Sequence, residues 1–240
     1  MRGWEDINLR ECLSRRFHVP VYVEHDANAG VLAEWWYGQH NLEKGTYIYI
    51  AVGYGVGAGI IVDGKIFHGA SGVAGEFGHM SINFHGPRCV CGNRGCLEMY
   101  ASSYAVAKAI AKDKVINQST KTASTCDFDS ILEAYQQGNP LAVEVVQKAG
   151  EYLGIGIVNL INVYNPNGII LGDDLAKIGK PFLDCVQKTI KEHTQPELYQ
   201  ETEIRLTSFS QDPAIIGAGA VAIDQLLKTP TELLRQVEKG

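Results

Sequence analysis

The sequence predicts an α/β fold, and three features of its pattern carry that prediction. Segments with apolar residues at helical spacing alternate with short β-branched and aromatic runs along most of the chain. One run, NGIILG at residues 167–172, is apolar nearly throughout, as a buried strand is. Another, TYIYIAVGYGVGAGIIVDGKIFHG at residues 46–69, is punctuated by glycines and contains Asp63-Gly64, a strong hairpin signal.

In chain order, Asn8 caps a helix whose apolar face is Leu9, Cys12, Leu13 and Phe17. Pro20 opens a short strand, VPVYVEHD, and ANAGVLAEWWYG then returns to helical spacing until Gly38 stops it. The hairpin of residues 46–69 follows, and a glycine-rich irregular region occupies residues 69–98. Helices are expected at about 99–112 and 129–137, and from Pro140 to about Tyr164, where Asn165-Pro166 ends the last of them. The buried strand, a helix through KPFLDCVQKTIKE, a strand in EIRLTSF and a final helix from Pro213 to about Leu227 complete the alternation. The tail TELLRQVEKG reads as a short extra helix, and the chain has no internal repeat or low-complexity segment.

Length and composition narrow the classes. The 240 residues make one large domain or two small lobes, and 45% hydrophobic content with a mean hydropathy of −0.06 suits a soluble chain with a sizeable core. A net charge of −6 and a pI near 5.6 exclude direct nucleic-acid binding by this chain, because gripping a phosphate backbone needs clustered Lys and Arg. No apolar run reaches the ~18 residues of a membrane span, and the N-terminus lacks a signal-peptide core. The expected location is therefore cytoplasmic and reducing, where clustered cysteines are metal ligands more often than disulfides.

Three of the six cysteines fall within eight residues, CVCGNRGC, with a histidine upstream. The spacing His79-x9-Cys89-x-Cys91-x4-Cys96 supplies the three thiolates and one imidazole of a closed, tetrahedral structural zinc site. Gly92 and Gly95 permit the tight turns between ligands, and Arg88 and Arg94 offset the charge of three thiolates. Such a site has no open coordination position; its work is to order a loop too glycine-rich to order itself. His85 competes with His79 as the fourth ligand, and free thiols or a single disulfide are the alternative, although a Cys-x-Cys pair suits an ordinary disulfide poorly. Cys12, Cys126 and Cys185 are isolated and read as packing residues.

The run GVAGEFGHMSINFHGPRCVCGNRGCLEMYAS closely resembles the signature of the ROK family of repressors, open reading frames and sugar kinases. EHDANAGVLAEWWYG, AVGYGVGAGIIVDGKIFHG, PNGIILGDDLA and IIGAGAVA resemble the same family in the same order. The resemblance implies an actin-like (sugar kinase/ribonuclease H-like) pair of α/β lobes that close on a sugar, here with the N-terminal lobe truncated. It implies a remnant of that lobe at residues 1–40 and a larger sugar-binding lobe at 41–212 carrying the zinc loop, 69–98. Residues 213–240 are then a C-terminal helix packing back toward the N-terminal lobe, with a tail.

A sugar presents a ring of hydroxyls, so its site needs carboxylates and amides in fixed geometry. Asp26 follows the expected first strand, at the lip where α/β sheets bind ligands. Glu76 lies three residues before His79 and Glu98 two after Cys96, so the metal loop pins both. The resemblance assigns Glu76, His79 and Glu98 to sugar hydroxyls and matches Asp26 to the kinases' catalytic base. His25 stands where the family usually has Asn beside that aspartate and can still donate one bond, so His25 and Asp26 are expected to meet the sugar as well.

The phosphate side departs from the kinases. The stretch Gly53-Tyr54-Gly55-Val56-Gly57-Ala58 fits the loose dinucleotide pattern G-x-G-x-x-A, but a strand follows where a helix is needed, which rejects a Rossmann reading. With Gly172 its three glycines resemble remnants of the family's phosphate and nucleotide loops. Tyr54 replaces the usual Thr, Asp173 replaces a second glycine, and the Asp-x-Gly-x-Thr loop with which the kinases begin is not seen before Trp4. These departures favour the sugar-sensing portion of a NagC/XylR-type regulator lacking its helix-turn-helix, with no phosphotransfer by this chain. The alternative is a sugar kinase missing its N-terminal phosphate loop, which would use ATP and Mg2+ to phosphorylate a hexose or N-acetylhexosamine. The expected partners are a sugar or sugar phosphate and further copies of the chain, as a homodimer or tetramer. Trp35 and Trp36, adjacent on one helix, cannot both face one core, which leaves one for a lobe contact or partner.

Overall fold

The computed structural model describes residues 7–40, 42–111 and 127–228. A five-stranded sheet forms its centre, in the spatial order Lys65–Ile66 (β3), Val56–Val62 (β2), Thr46–Val52 (β1), Gly168–Gly172 (β4) and Glu203–Leu206 (β5). β1 pairs antiparallel with β2 and parallel with β4; β2 turns back onto β3, and β5 extends the parallel half. The β2–β3 turn uses Asp63 at φ 49° and Gly64 at φ 78°, the two left-handed residues of the turn that Asp-Gly favours.

Strand alternation divides the core into two layers. Ile48, Ile50 and Val52 of β1 face one side, and Tyr47 and Tyr49 face the other. On the first side lie the long helix α6 (Pro140–Tyr164), α7 (Lys180–His193), and the shorter α3 (Glu98–Ala101), α4 (Ser103–Ala111) and α5 (Phe128–Gln136). On the second, α2 (Asp26–Tyr37) and α9 (Pro213–Lys228) pack together, so tightly that a Cβ on Gly217 would meet the Ala29 carbonyl at 1.8 Å. The capped helix α1 (Leu9–Phe17) buries no residue, and α8 (Pro196–Glu201) precedes β5. No described helix is long and apolar enough to cross a membrane.

Several expectations are corrected. Residues 20–25 form no strand; no described strand runs beside them to accept their backbone bonds, and Val23 is exposed. The helix expected at 99–112 divides at Ser102, whose extended backbone ends α3 and whose hydroxyl accepts the Ala105 N–H at 3.0 Å to cap α4. Cys12 is exposed rather than packed, whereas Cys185 is half-buried and donates to the Gln147 carbonyl at 3.2 Å. Trp35 and Trp36 are both half-buried against the same apolar cluster. α8 was not expected, because six residues give too little periodicity to read. Cys126 and the helix expected in the tail lie outside the described residues.

Candidate functional site

The β1–β2 turn, the N-terminus of α2 and the loop of residues 69–98 surround a cavity of about 310 Å³ at the C-terminal ends of β1 and β4. This is the edge at which α/β sheets bind ligands. The cavity brings together His25, Asp26, Glu76, His79 and Glu98, the five residues expected to meet a sugar. Gly55 and Gly57 line it as well. Gly53 sits behind the turn, where a Cβ would meet the Asp173 carboxylate at 2.1 Å, and Gly172 abuts the Tyr49 hydroxyl.

Along one side, imidazoles and carboxylates alternate. His25 Nδ1 lies 3.2 Å from Asp26 Oδ1, and its Nε2 lies 3.9 Å from Glu76 Oε1. The other Glu76 oxygen is 3.7 Å from His79 Nε2. On the opposite side Glu98 Oε2 accepts the Val56 N–H at 3.2 Å, which leaves its second oxygen unassigned. Gly55 makes that approach possible, since a Cβ there would stand 2.7 Å from the same oxygen. Glu98 therefore bridges the cysteine-bearing loop and the hairpin.

His79, Cys89, Cys91 and Cys96 offer four ligand atoms, all within 4.8 Å of one another. Cys89 Sγ is 3.6 Å from His79 Nδ1, and Cys91 Sγ is 3.6 Å from Cys96 Sγ. Both separations match the edge of a tetrahedron whose corners lie about 2.3 Å from its centre, the ordinary metal–sulfur distance. Burial, with Cys91 and Cys89 beside it, pushes the Cys96 thiol up to about 12, while the Asn93 backbone holds Cys91 below the usual range. Sulfurs crowded in this way fit a divalent cation, which stabilises thiolates together. His85 is not part of the group; its ring lies tilted against Phe84, and its backbone N–H donates to Asn83 Oδ1 at 3.1 Å.

Sequence reasoning missed a clamp behind the cleft. Glu24 accepts from the His25 N–H at 2.8 Å and from Asn28 Nδ2 at 2.9 Å, and pairs with His68 Nε2 at 2.7 Å. Burial would raise the Glu24 carboxyl, but these bonds hold it below the usual range. The clamp ties the loop preceding Glu76 to the residues beside Asp26, across 44 positions that no local pattern connects. Glu34 was missed as well. Its fully buried carboxylate accepts from the Ser208 N–H and hydroxyl, each at 2.8 Å, and from the Thr207 hydroxyl. It locks α2 to the segment between β5 and α9.

The half-parallel sheet, its two helical layers and the cleft at the strand ends define a mixed α/β protein of actin-like fold, the architecture of sugar kinases and their repressor relatives. The family model described as "ROK family" matches residues 2–225, and the chain belongs to that family. A xylose repressor from Caldicellulosiruptor bescii is 34% identical over 234 residues, covering 95% of this chain and 58% of the repressor. A glucokinase from Halalkalibacterium halodurans is 33% identical over 224 residues, covering 90% of this chain and 68% of the enzyme. Among solved structures, a ROK family transcriptional regulator that is a homolog of the E. coli MLC protein aligns with a TM-score of 0.79 at 31% identity, over 96% of this chain and 58% of that one. The chain thus spans 58% of the length of each of these two regulators.

Proposed function

We propose that this chain is the sugar-sensing portion of a ROK-type transcriptional regulator, with structural zinc in its cysteine cluster and a neutral sugar in its cleft. The content of the cleft carries this reading. Asp26, Glu76, Glu98 and two imidazoles suit hydroxyls, whereas among the described residues no Lys or Arg lines the cavity. Phosphoryl groups are normally clamped by such cations, so a sugar phosphate or a nucleotide fits poorly. Tyr54 and Asp173 line the same cavity and add bulk and negative charge where a phosphate would come. Zinc held by His79, Cys89, Cys91 and Cys96 contributes order to the loop and no reactive position. With Nδ1 of His79 on the metal, Nε2 faces Glu76 and orients it. In a whole regulator, a sugar that favours one lobe arrangement alters the spacing of paired DNA-binding heads.

A sugar kinase is the second reading, favoured by Asp26, whose Oδ1 accepts the Ala27 N–H at 2.7 Å while the side chain opens into the cleft beside His25, where its other oxygen can take a hydroxyl proton. One experiment separates the two. The purified chain is titrated calorimetrically with xylose, glucose and N-acetylglucosamine, and then assayed for ADP release with ATP and Mg2+. The expected outcome is sugar binding without ADP release, with ATP consumption unchanged in Asp26→Asn. Sugar-dependent ADP release that disappears in Asp26→Asn establishes the kinase instead, and an absence of binding to every sugar overturns both.

A further inference from the structure

Tyr54, at the tip of the β1–β2 turn, lines the cleft and is nevertheless 75% exposed. It is not a stray surface ring. Its centroid lies 5.1 Å from that of Tyr104 on α4, tilted by 46°, and Lys108 Nζ stands 5.6 Å over the Tyr104 ring. Tyr104 is itself 40% exposed. The two rings thus form a supported aromatic ledge, with the Lys108 cation over Tyr104, continuous with a cavity rich in hydroxyl-binding groups.

We propose that this ledge is a second carbohydrate subsite, and that the cleft takes the terminal ring of a glycoside whose next ring stacks on Tyr54. This rests on the sugar-sensing reading. A pyranose carries hydroxyls around its edge and polarised C–H bonds on its faces; the edge suits Asp26, Glu76 and Glu98, and a C–H face suits the electron-rich face of an aromatic ring. The cavity volume of about 310 Å³ lies at the lower end of small-molecule sites, so a second ring must extend past its rim. The rim at the hairpin tip is where Tyr54 stands. Its phenol hydroxyl offers the second ring a polar contact as well. An anionic extension such as a phosphate meets Asp173 behind Gly53 instead, whose carboxyl is raised by burial and by Asp174 and Asp212. A neutral second sugar meets no such penalty.

The test compares xylose, glucose and N-acetylglucosamine with xylobiose, cellobiose and chitobiose, by calorimetry on the full zinc-loaded chain, with AMP-PNP as a further probe. At least one disaccharide is expected to bind about 10-fold tighter than its monosaccharide, equivalent to ~1.4 kcal/mol. That ratio should fall to about one in Tyr54→Ala, persist in Tyr54→Phe, and shrink in Tyr104→Ala, which removes the supporting ring. A ratio near one for all three pairs in the wild type, or an unchanged ratio in Tyr54→Ala, overturns the subsite and leaves the sugar-sensing reading standing. Binding of no sugar at all removes both. AMP-PNP binding that Tyr54→Ala abolishes assigns the ring to an adenine base and likewise overturns the subsite.

Discussion

On one wall of the cleft, Glu76 and Glu98 are set in or against a loop in which most side chains between residues 81 and 94 face solvent. On the other wall, the hairpin tip and Asp173 extend directly from β1 and β4, whose Ile48, Ile50, Ile169 and Leu171 are completely buried. Phe77 and Leu97 anchor the two ends of the first wall in the apolar core, whereas the exposed stretch between them has few buried side chains and gathers its thiols around His79. The second inherits its order from the hydrophobic core. Damage to the metal site should therefore abolish the cleft and leave the fold, whereas damage to the strand-end wall should tune the cleft without dismantling it.

The largest effect expected is that of Cys96→Ser. Structural zinc sites of this type contribute ~10–16 kcal/mol of apparent binding free energy, much of it local folding free energy. Metal content should fall from about one equivalent per chain to near zero, and trypsin should cut at Arg88 and Arg94 far faster than in the wild type. Sugar affinity should be lost while far-UV circular dichroism is retained. Wild-type protein isolated with well under one equivalent of metal, and equally resistant to trypsin, would show that the loop is ordered by other means.

An intermediate effect is expected where the two walls meet. Glu98 belongs to α3 at the end of the metal loop but is held by the Val56 N–H of the hairpin. Glu98→Ala removes a hydroxyl acceptor and leaves that N–H without its partner, a loss of ~1–3 kcal/mol. Calorimetry should report sugar binding weakened about 5–150-fold. Glu98→Gln keeps an acceptor oxygen and should lose less. Unchanged affinity in the alanine variant would remove Glu98 from the pocket.

The difference between the walls also explains what the sequence disclosed. The cysteine loop was legible because ligand chemistry fixes residue types at short spacings, and the four residues read from His79 to Cys96 are those whose ligand atoms converge. The hairpin and the buried strand were legible because period-two alternation and Asp63-Gly64 leave few other conformations. The strand expected at VPVYVEHD failed for the complementary reason: β-branched residues favour an extended chain, but only a neighbour makes it a strand. The Glu24–His68 clamp and the buried Glu34 were invisible because their partners lie far away in the chain, and an isolated glutamate reads as a surface residue until the fold surrounds it. The break at Ser102 is a capping choice that weak helical periodicity does not reveal.

The smallest effect expected concerns the strand-end wall alone. Packing at the strand ends, together with Asp174 and Asp212, raises the Asp173 carboxyl above its ordinary value. A carboxyl raised on folding binds its proton more readily in the folded chain than in the unfolded one, so its charged form opposes folding. That cost is absent below the ordinary aspartate range, grows as pH rises through the raised value, and is fully present at neutral pH. Asp173→Asn should remove it, and Asn tolerates the backbone here, at φ 69°. The melting temperature should rise by about 1–2 °C at pH 7, kept small because the residue retains open surface and water screens its neighbours. The difference should vanish toward pH 3 and shrink in high salt. A variant that melts below the wild type at pH 7 would mean that this carboxylate makes a stabilising contact, and the strand-end wall would then depend on a polar anchor as well as on the core.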